Sequence, residues 1–166
     1  METTERVADY YDWLSRYVRI SNSWTFGNPY AGYTMHKTLE DTSGGESEYN
    51  RRNLPVFIND YALDKANLPP KPKALDAGCG WGGTIFRWHQ RIGGEYLGLT
   101  LSNVQLKTAL SVASRKGISG DVRFRLQGYD QPLPEKFDAI VAIESLIHSP
   151  DAMATVENLS RSLKTG

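Results

Sequence analysis

The stretch Lys73–Gly83, KALDAGCGWGG, constrains this chain more than any other. Lys73–Ala77 reads as a short buried strand carrying Asp76 near its end, and four of the next six residues are glycine. Beyond them Ile85, Phe86, Trp88, His89 and Ile92 recur with a 3.6-residue period, which predicts a helix. Strand, glycine turn and helix N-terminus together specify a parallel crossover with a ligand at its turn. Glycine permits tight turns and close backbone approach, and the free N–H groups of a helix start favour negative charge.

Two readings compete for the loop. Gly78, Gly80 and Gly83 satisfy G-x-G-x-x-G, the dinucleotide fingerprint, which is a weak signal alone. Asp76 argues against it, because a pyrophosphate there would meet a like charge while a cationic ligand would be attracted. The second strand also lacks the acidic tip that a nicotinamide cofactor needs for its ribose hydroxyls. The spelling Asp76-x-Gly78-x-Gly80-x-Gly82 instead resembles motif I of the class I S-adenosylmethionine (SAM) methyltransferases. That resemblance implies that the loop, with Cys79 between its glycines, contacts the amino-acid half of SAM.

Length and charge narrow the class. At 166 residues the chain suits one domain with a real core. Its 19 basic residues balance 19 acidic ones without a basic block, so no nucleic-acid partner is expected. No run of about 18 apolar residues exists, so no membrane span is expected, and the polar, aromatic N-terminus is unlike a signal peptide. The single cysteine excludes an internal disulfide and suits a reducing compartment. Its place between glycines asks for a small residue rather than a reactive thiol. A cytoplasmic globular protein is the expectation.

Residues 1–20 place Val7, Tyr10, Tyr11, Leu14, Tyr17 and Val18 on one helical stripe, read as packing against the domain. Residues 21–45 mix Trp24, Phe26, Tyr30 and Tyr33 with glycine, asparagine, serine and proline, and fit neither a helix nor a strand. This segment reads as a lid over a hydrophobic substrate, with a loop packed on the sheet edge as the alternative. Residues 46–66 predict a helix restarted near Pro55, with Val56, Phe57, Tyr61 and Leu63 inward. Arg51 and Arg52 near its start are either a phosphate clamp or a solvated face. The proline-rich run Asn67–Lys73 divides an N-terminal extension and lid, residues 1–69, from a cofactor domain, residues 70–166.

Glu95–Leu99 is the second strand. Ser102 caps the next helix and Gln105 completes a capping box, with Leu106, Ala109, Leu110 and Ala113 inward and Gly117 at the end. Asp121–Leu126 alternates as a third strand, and Phe137–Ile143 is the continuous apolar run expected of a central parallel strand. Ser149-Pro150-Asp151 starts a last helix, Ser149 as cap and Pro150 in its first turn, that runs to Leu163. The order implies an α/β fold, a Rossmann-like doubly wound parallel sheet with right-handed crossovers.

Three further stretches resemble one branch of the SAM methyltransferases: sterol C-methyltransferases, tocopherol methyltransferases, and cyclopropane or mycolic-acid synthases. Gly98-Leu-Thr-Leu-Ser102 followed by Gln105 is similar to their signature after the second strand. It implies Thr100 and Leu101 beside ribose and adenine, and Gln105 near the ribose hydroxyls. Gln127-Gly128-Tyr129-Asp130 sits where these families place Gly, an aromatic and an acid against the adenine. Tyr129 would stack on the base and Asp130 would accept from its amino group. Ala142-Ile-Glu144-Ser-Leu-Ile-His148-Ser-Pro-Asp151 resembles the sterol-enzyme pattern after the fourth strand. It implies Ile143 beside the cofactor and Glu144 and His148 as catalytic residues. The cyclopropane enzymes carry a glutamate immediately before this histidine as part of a bicarbonate site; Ile147 stands there here, which argues against bicarbonate-assisted cyclopropanation.

The resemblance implies transfer of a methyl group from SAM to a small molecule, hydrophobic or isoprenoid-like, with C-methylation favoured over N- or O-methylation. With an alkene acceptor, Glu144 would stabilise a carbocation and His148 would take a proton; with an amine or hydroxyl, His148 alone would serve as base. Metal chemistry is not expected. Class I methyltransferases have seven strands, and this chain stops after the helix that follows the fourth. The expectation is therefore a piece of a longer enzyme, or a chain completed by a second copy or another chain. The rival from another class is a non-catalytic SAM-fold subunit that needs a partner chain.

Overall fold

The computed structural model of the protein describes residues 4–25 and 54–165, with the side chains of 4–16 and 59–165. Four strands form one parallel sheet: β1 (Lys73–Ala77), β2 (Glu95–Thr100), β3 (Val122–Leu126) and β4 (Ala139–Val141), in the order β3-β2-β1-β4. β1 lies in register with β2 from Lys73 opposite Glu95 to Ala77 opposite Leu99, and with β4 at Leu75 opposite Ile140. Helices α3 (Gly83–Ile92) and α4 (Asn103–Arg115) carry the two crossovers away from β1, and the chain then returns past β1 to β4. That reversal opens a crevice beyond the carboxyl ends of β1 and β4, the place where doubly wound sheets bind ligands.

Period-2 alternation fills both faces of the sheet. Ala74, Tyr96, Val122 and Phe124 point to one face, where they meet Ile85 and Trp88 of α3 and Ala109 and Ala113 of α4. Leu75, Ala77, Leu97 and Leu99 point to the other and meet Phe137 and Leu159, the latter on α5 (Ala152–Ser160). A parallel sheet covered on both faces needs such continuous apolar strands. Two N-terminal helices dock on the crossovers: α1 (Thr4–Thr25) on α4, and α2 (Leu54–Ala66) on α3. Arg87 of α3 grips both oxygens of Asp60 at 2.8 and 2.7 Å, and Trp88 Nε1 donates to the Asn59 carbonyl at 2.8 Å. Pro55 lies in the first turn of α2, where its missing N–H leaves no bond unmade.

Beneath the second face, Glu135 braces strands that do not touch. It takes Lys73 of β1 at 2.8 Å and Arg123 and Arg125 of β3 at 2.9 and 2.6 Å, spanning β2 between them. These partners, Lys73 foremost, hold its carboxyl down to about 2. Among the described residues no helix is long and apolar enough to cross a membrane.

Several local expectations are corrected. The helical stripe of α1 is narrower than expected: Val7 is buried, but Tyr10 is exposed and Ser15 is buried in its place. Tyr61 of α2 and Leu110 of α4 are likewise exposed, because each helix presents a single stripe to its neighbour. Helix α1 continues to Thr25, so the first five residues of the aromatic segment are helical. The rest of that segment, with Arg51 and Arg52, lies outside the described residues. The fourth strand is only Ala139–Val141, half-buried at the sheet margin, and Phe137 bridges in parallel to Leu163 instead. The cap of α5 is Asp151, whose carboxylate accepts from Ala154 N at 2.9 Å, and Pro150 precedes the helix. Ser149 Oγ instead accepts from Asp151 N at 3.2 Å, and α5 ends at Ser160 rather than Leu163.

Candidate functional site

The crevice is a cleft of about 420 Å³, walled by the glycine loop, the end of β2, the turn after β4 and helix α1. Its floor is the glycine loop. Gly78 has φ 97°, and a Cβ there would stand 2.2 Å from Ser145 Cβ, so both conformation and space demand glycine. The Gly78 and Cys79 amides both donate to the Leu99 carbonyl, at 3.1 and 2.8 Å, tying the loop to β2. Gly82 caps α3 in the left-handed region without any side-chain bond to the helix start.

Asp76 is 3% exposed, and its Oδ2 has no hydrogen-bond partner. Burial pushes its carboxyl up to about 7, with the Thr84 hydroxyl pulling the other way. A buried acceptor without a donor is costly, and a donor-bearing cation in the cleft removes the cost. Trp81 Nε1 is a second buried polar atom without a partner on the same cleft. Cys79 is buried, its thiol pushed well above its ordinary value by burial first and by the Asp76 charge second, so it is not a nucleophile.

The wall after β2 is a hydrogen-bonded chain. Thr100 Oγ1 donates to Gln105 Oε1 at 2.7 Å and accepts from Ser102 N at 3.1 Å. Ser102 Oγ accepts from Gln105 N at 3.1 Å and donates to the Asp12 carboxylate of α1, which also accepts from Val104 N at 3.2 Å. The expected capping box is therefore only half formed. Thr100 takes the Ser102 amide that the Gln105 side chain was expected to hold, and Asp12 caps α4 from another helix.

Opposite lie the turn after β4 and the 3-10 turn Leu146–His148. Glu144 has φ 57°, a left-handed conformation that costs a non-glycine residue free energy and is concentrated at functional sites. Ser145 Oγ donates to the Ala77 carbonyl, and Tyr129 Oη donates to the Ser145 carbonyl at 2.8 Å. His148 meets Tyr11 of α1: Tyr11 Oη lies 2.6 Å from Nε2, with the rings nearly perpendicular at 5.3 Å.

Of the residues the sequence singled out, Asp76, Gly78, Cys79, Gly80, Thr100, Leu101, Gln105, Tyr129, Ile143, Glu144 and His148 all line this one cleft. Gly128 and Asp130 do not; the Asp130 carboxylate folds back to within 2.2 Å of where a Gly128 Cβ would be. Sequence reasoning missed Tyr11, Asp12, Trp81 and Ser145. Tyr11 was visible only as part of a packing stripe, and Asp12 carries no local signal. Trp81 stands out as a large aromatic set among glycines, and Ser145 adjoins the Glu144 motif.

The chain is similar to known proteins in sequence and in fold. The family described as mycolic acid cyclopropane synthetase matches residues 58–157. A probable chloroplastic tocopherol O-methyltransferase of Oryza sativa subsp. japonica is 31% identical over 137 residues, 78% of this chain and 38% of the rice protein. The crystal structure of the cyclase SpnF matches with a TM-score of 0.81 and 26% identity over 99% of this chain and 58% of that one. A geranyl diphosphate methyltransferase in complex with GPP and sinefungin matches with a TM-score of 0.65 and 28% identity, over 69% of this chain and 43% of that one. The chain thus spans under half the length of the rice relative. With the doubly wound fold of the class I methyltransferases and a matching region that contains the whole glycine loop, the chain belongs to the mycolic acid cyclopropane synthetase family.

Proposed function

We propose that the cleft binds SAM and that the whole protein transfers a methyl group to a small hydrophobic acceptor of the isoprenoid type. The observation that carries this reading is the buried, partnerless Asp76 Oδ2 at the head of a glycine turn. An ammonium group satisfies it, whereas a pyrophosphate would be repelled. The tocopherol and geranyl diphosphate enzymes to which the chain is similar supply the acceptor class. The lone, buried cysteine fits a cytosolic setting.

SAM, when bound, supplies a methyl group already activated on a sulfonium. The chain's own residues then have to orient, shield and move a proton. Gly78 and Gly80 let the ligand approach the backbone. Thr100, Leu101 and Gln105 flank the ribose and base side, with Gln105 Oε1 held in place by the Thr100 hydroxyl. Tyr129, fixed through its Oη, offers an aromatic face to the base. Gly128 and Asp130, off the cleft lining, support that turn. Ile143 excludes water beside the reacting centre. Glu144 stabilises positive charge that develops on the acceptor, and His148 takes up its proton.

A second reading rests on SpnF, a cyclase matched over nearly the whole of this chain. On that reading the cleft binds the same cofactor but shapes an acceptor for ring closure without methyl transfer.

Calorimetric titration with S-adenosylhomocysteine, NADH and an Asp76→Ala variant tests the cofactor. Micromolar binding of the first ligand alone, lost in the variant, is expected; preference for NADH overturns the proposal. Incubating the full-length protein with methyl-labelled SAM and isoprenoid acceptors separates the two readings, because only methyl transfer moves label into product.

A further inference from the structure

We propose that Tyr11 and His148 form a proton-relay pair in which the phenol oxygen of Tyr11, rather than the imidazole, receives the acceptor's proton. This rests on the methyl-transfer reading above and adds a catalytic residue from outside the Rossmann-like unit. Three observations carry it. Tyr11 Oη lies 2.6 Å from His148 Nε2, which places that nitrogen against the phenol rather than open to a ligand. Tyr11, His148 and Glu144 all line the same cleft, so the phenol lies at the wall where an acceptor would sit. The turn of α1 that carries Tyr11 is fixed independently, because Asp12 accepts from Ser102 Oγ and Val104 N at the start of α4. The contact joins residues 137 apart in sequence, so the fold brings together a pair that neither motif contains.

The contact permits either direction, and the relay requires the phenol to donate. With the phenol donating, Nε2 is an acceptor and a neutral imidazole carries its proton on Nδ1. A bound SAM would supply the methyl group to the acceptor and keep the electron pair of the broken carbon–sulfur bond on its sulfur. The acceptor's O–H, N–H or, after attack by an alkene, the C–H beside the cationic carbon gives its proton to Tyr11 Oη. The phenolic proton moves to His148 Nε2, and the electron pair left behind stays on the heteroatom or becomes the new double bond. Phenol and acceptor each end neutral, and the proton rests on the imidazole.

Nitrogen-15 NMR of histidine-labelled chain tests the pair without a known acceptor, in the presence and absence of S-adenosylhomocysteine. The expected wild-type spectrum has a pyridine-type Nε2 and a pyrrole-type Nδ1 for His148. Tyr11→Phe, which keeps the ring and its packing, is expected to erase that preference and average the two resonances. S-adenosylhomocysteine affinity is expected to stay within about twofold, since the substitution keeps the aromatic ring and its volume. A protonated Nε2 in the wild type, or a Tyr11→Phe spectrum in which the His148 resonances are unchanged from wild type, overturns the relay while leaving the cofactor reading intact. Failure of the wild-type chain to bind S-adenosylhomocysteine overturns the cofactor reading, and with it the reaction the pair would serve.

Discussion

Replacing Asp76 by asparagine should stabilise the empty protein while abolishing its ligand binding. Burial lifts the Asp76 carboxyl from 3.8 to about 7 in the folded chain. A raised pKa means that the fold holds the proton more tightly than the unfolded chain does, so ionisation subtracts from stability. The penalty is absent below the unfolded value, grows as pH rises from 3.8 towards 7, and is complete above that. At about 1.4 kcal/mol per pKa unit it amounts to roughly 4 kcal/mol near pH 8, and to about half of that near pH 5.5. Asparagine keeps the shape and cannot ionise. Urea unfolding of both proteins from about pH 4 to 8 should therefore show the variant gaining over wild type as pH rises, with the gain flattening beyond about 7. Saturating S-adenosylhomocysteine at the upper pH should close the gap by stabilising only the wild type. A difference independent of pH, or a variant less stable near pH 8, would refute the idea that Asp76 is an ionised, unpaired carboxylate awaiting a cation.

Three further outcomes are expected. Gly78→Ala should cost roughly 2–4 kcal/mol through its left-handed backbone and its approach to Ser145, and pairing it with Ser145→Gly should recover at least about 1 kcal/mol in a double-mutant cycle; strict additivity would contradict the close contact. Glu135→Gln should remove about 1–2 kcal/mol at neutral pH, discounted for the partly exposed arginines, and this contribution should vanish in acid as the wild-type carboxyl itself protonates between 4.5 and about 2, measured by thermal melts against pH. Glu144→Gln should lower turnover of the full-length protein by about 10²–10³-fold with S-adenosylhomocysteine affinity nearly unchanged, whereas equal loss of both would make Glu144 a binding residue.

The sheet, its crossovers and the glycine loop were legible because their causes are local. A strand followed by glycines and a 3.6-period helix permits few folds, and the alternation of Tyr96, Leu97 and Leu99 sorts itself between two faces. Competition between partners was not legible. Ser102 followed by Gln105 spells a capping box, yet Thr100 two residues upstream reaches the Ser102 amide first. The apolar run Phe137–Ile143 reads as one long strand, but only Ala139–Val141 pairs with β1, while Phe137 bridges to Leu163. The cleft's α1 wall was hidden for a different reason. Tyr11 and Asp12 acquire their roles from His148, Ser102 and Val104, far along the chain, and no window of sequence contains both ends of those contacts.

The Asp12 cap also sets an order of assembly. Helix α4 receives its terminal acceptor from a residue 90 positions earlier than Ser102, so the bond closes a loop that encloses α2, β1, α3 and β2. Closing so long a loop has an entropic cost that a single cap does not offset, and the enclosed strands must first be paired. On the ribosome, α1 emerges before α4 and lacks that docking partner until the start of α4 has been synthesised and held by the sheet. Helix α1 thus settles later than the elements made after it, and the cleft gains its Tyr11 side only after its glycine floor is in place.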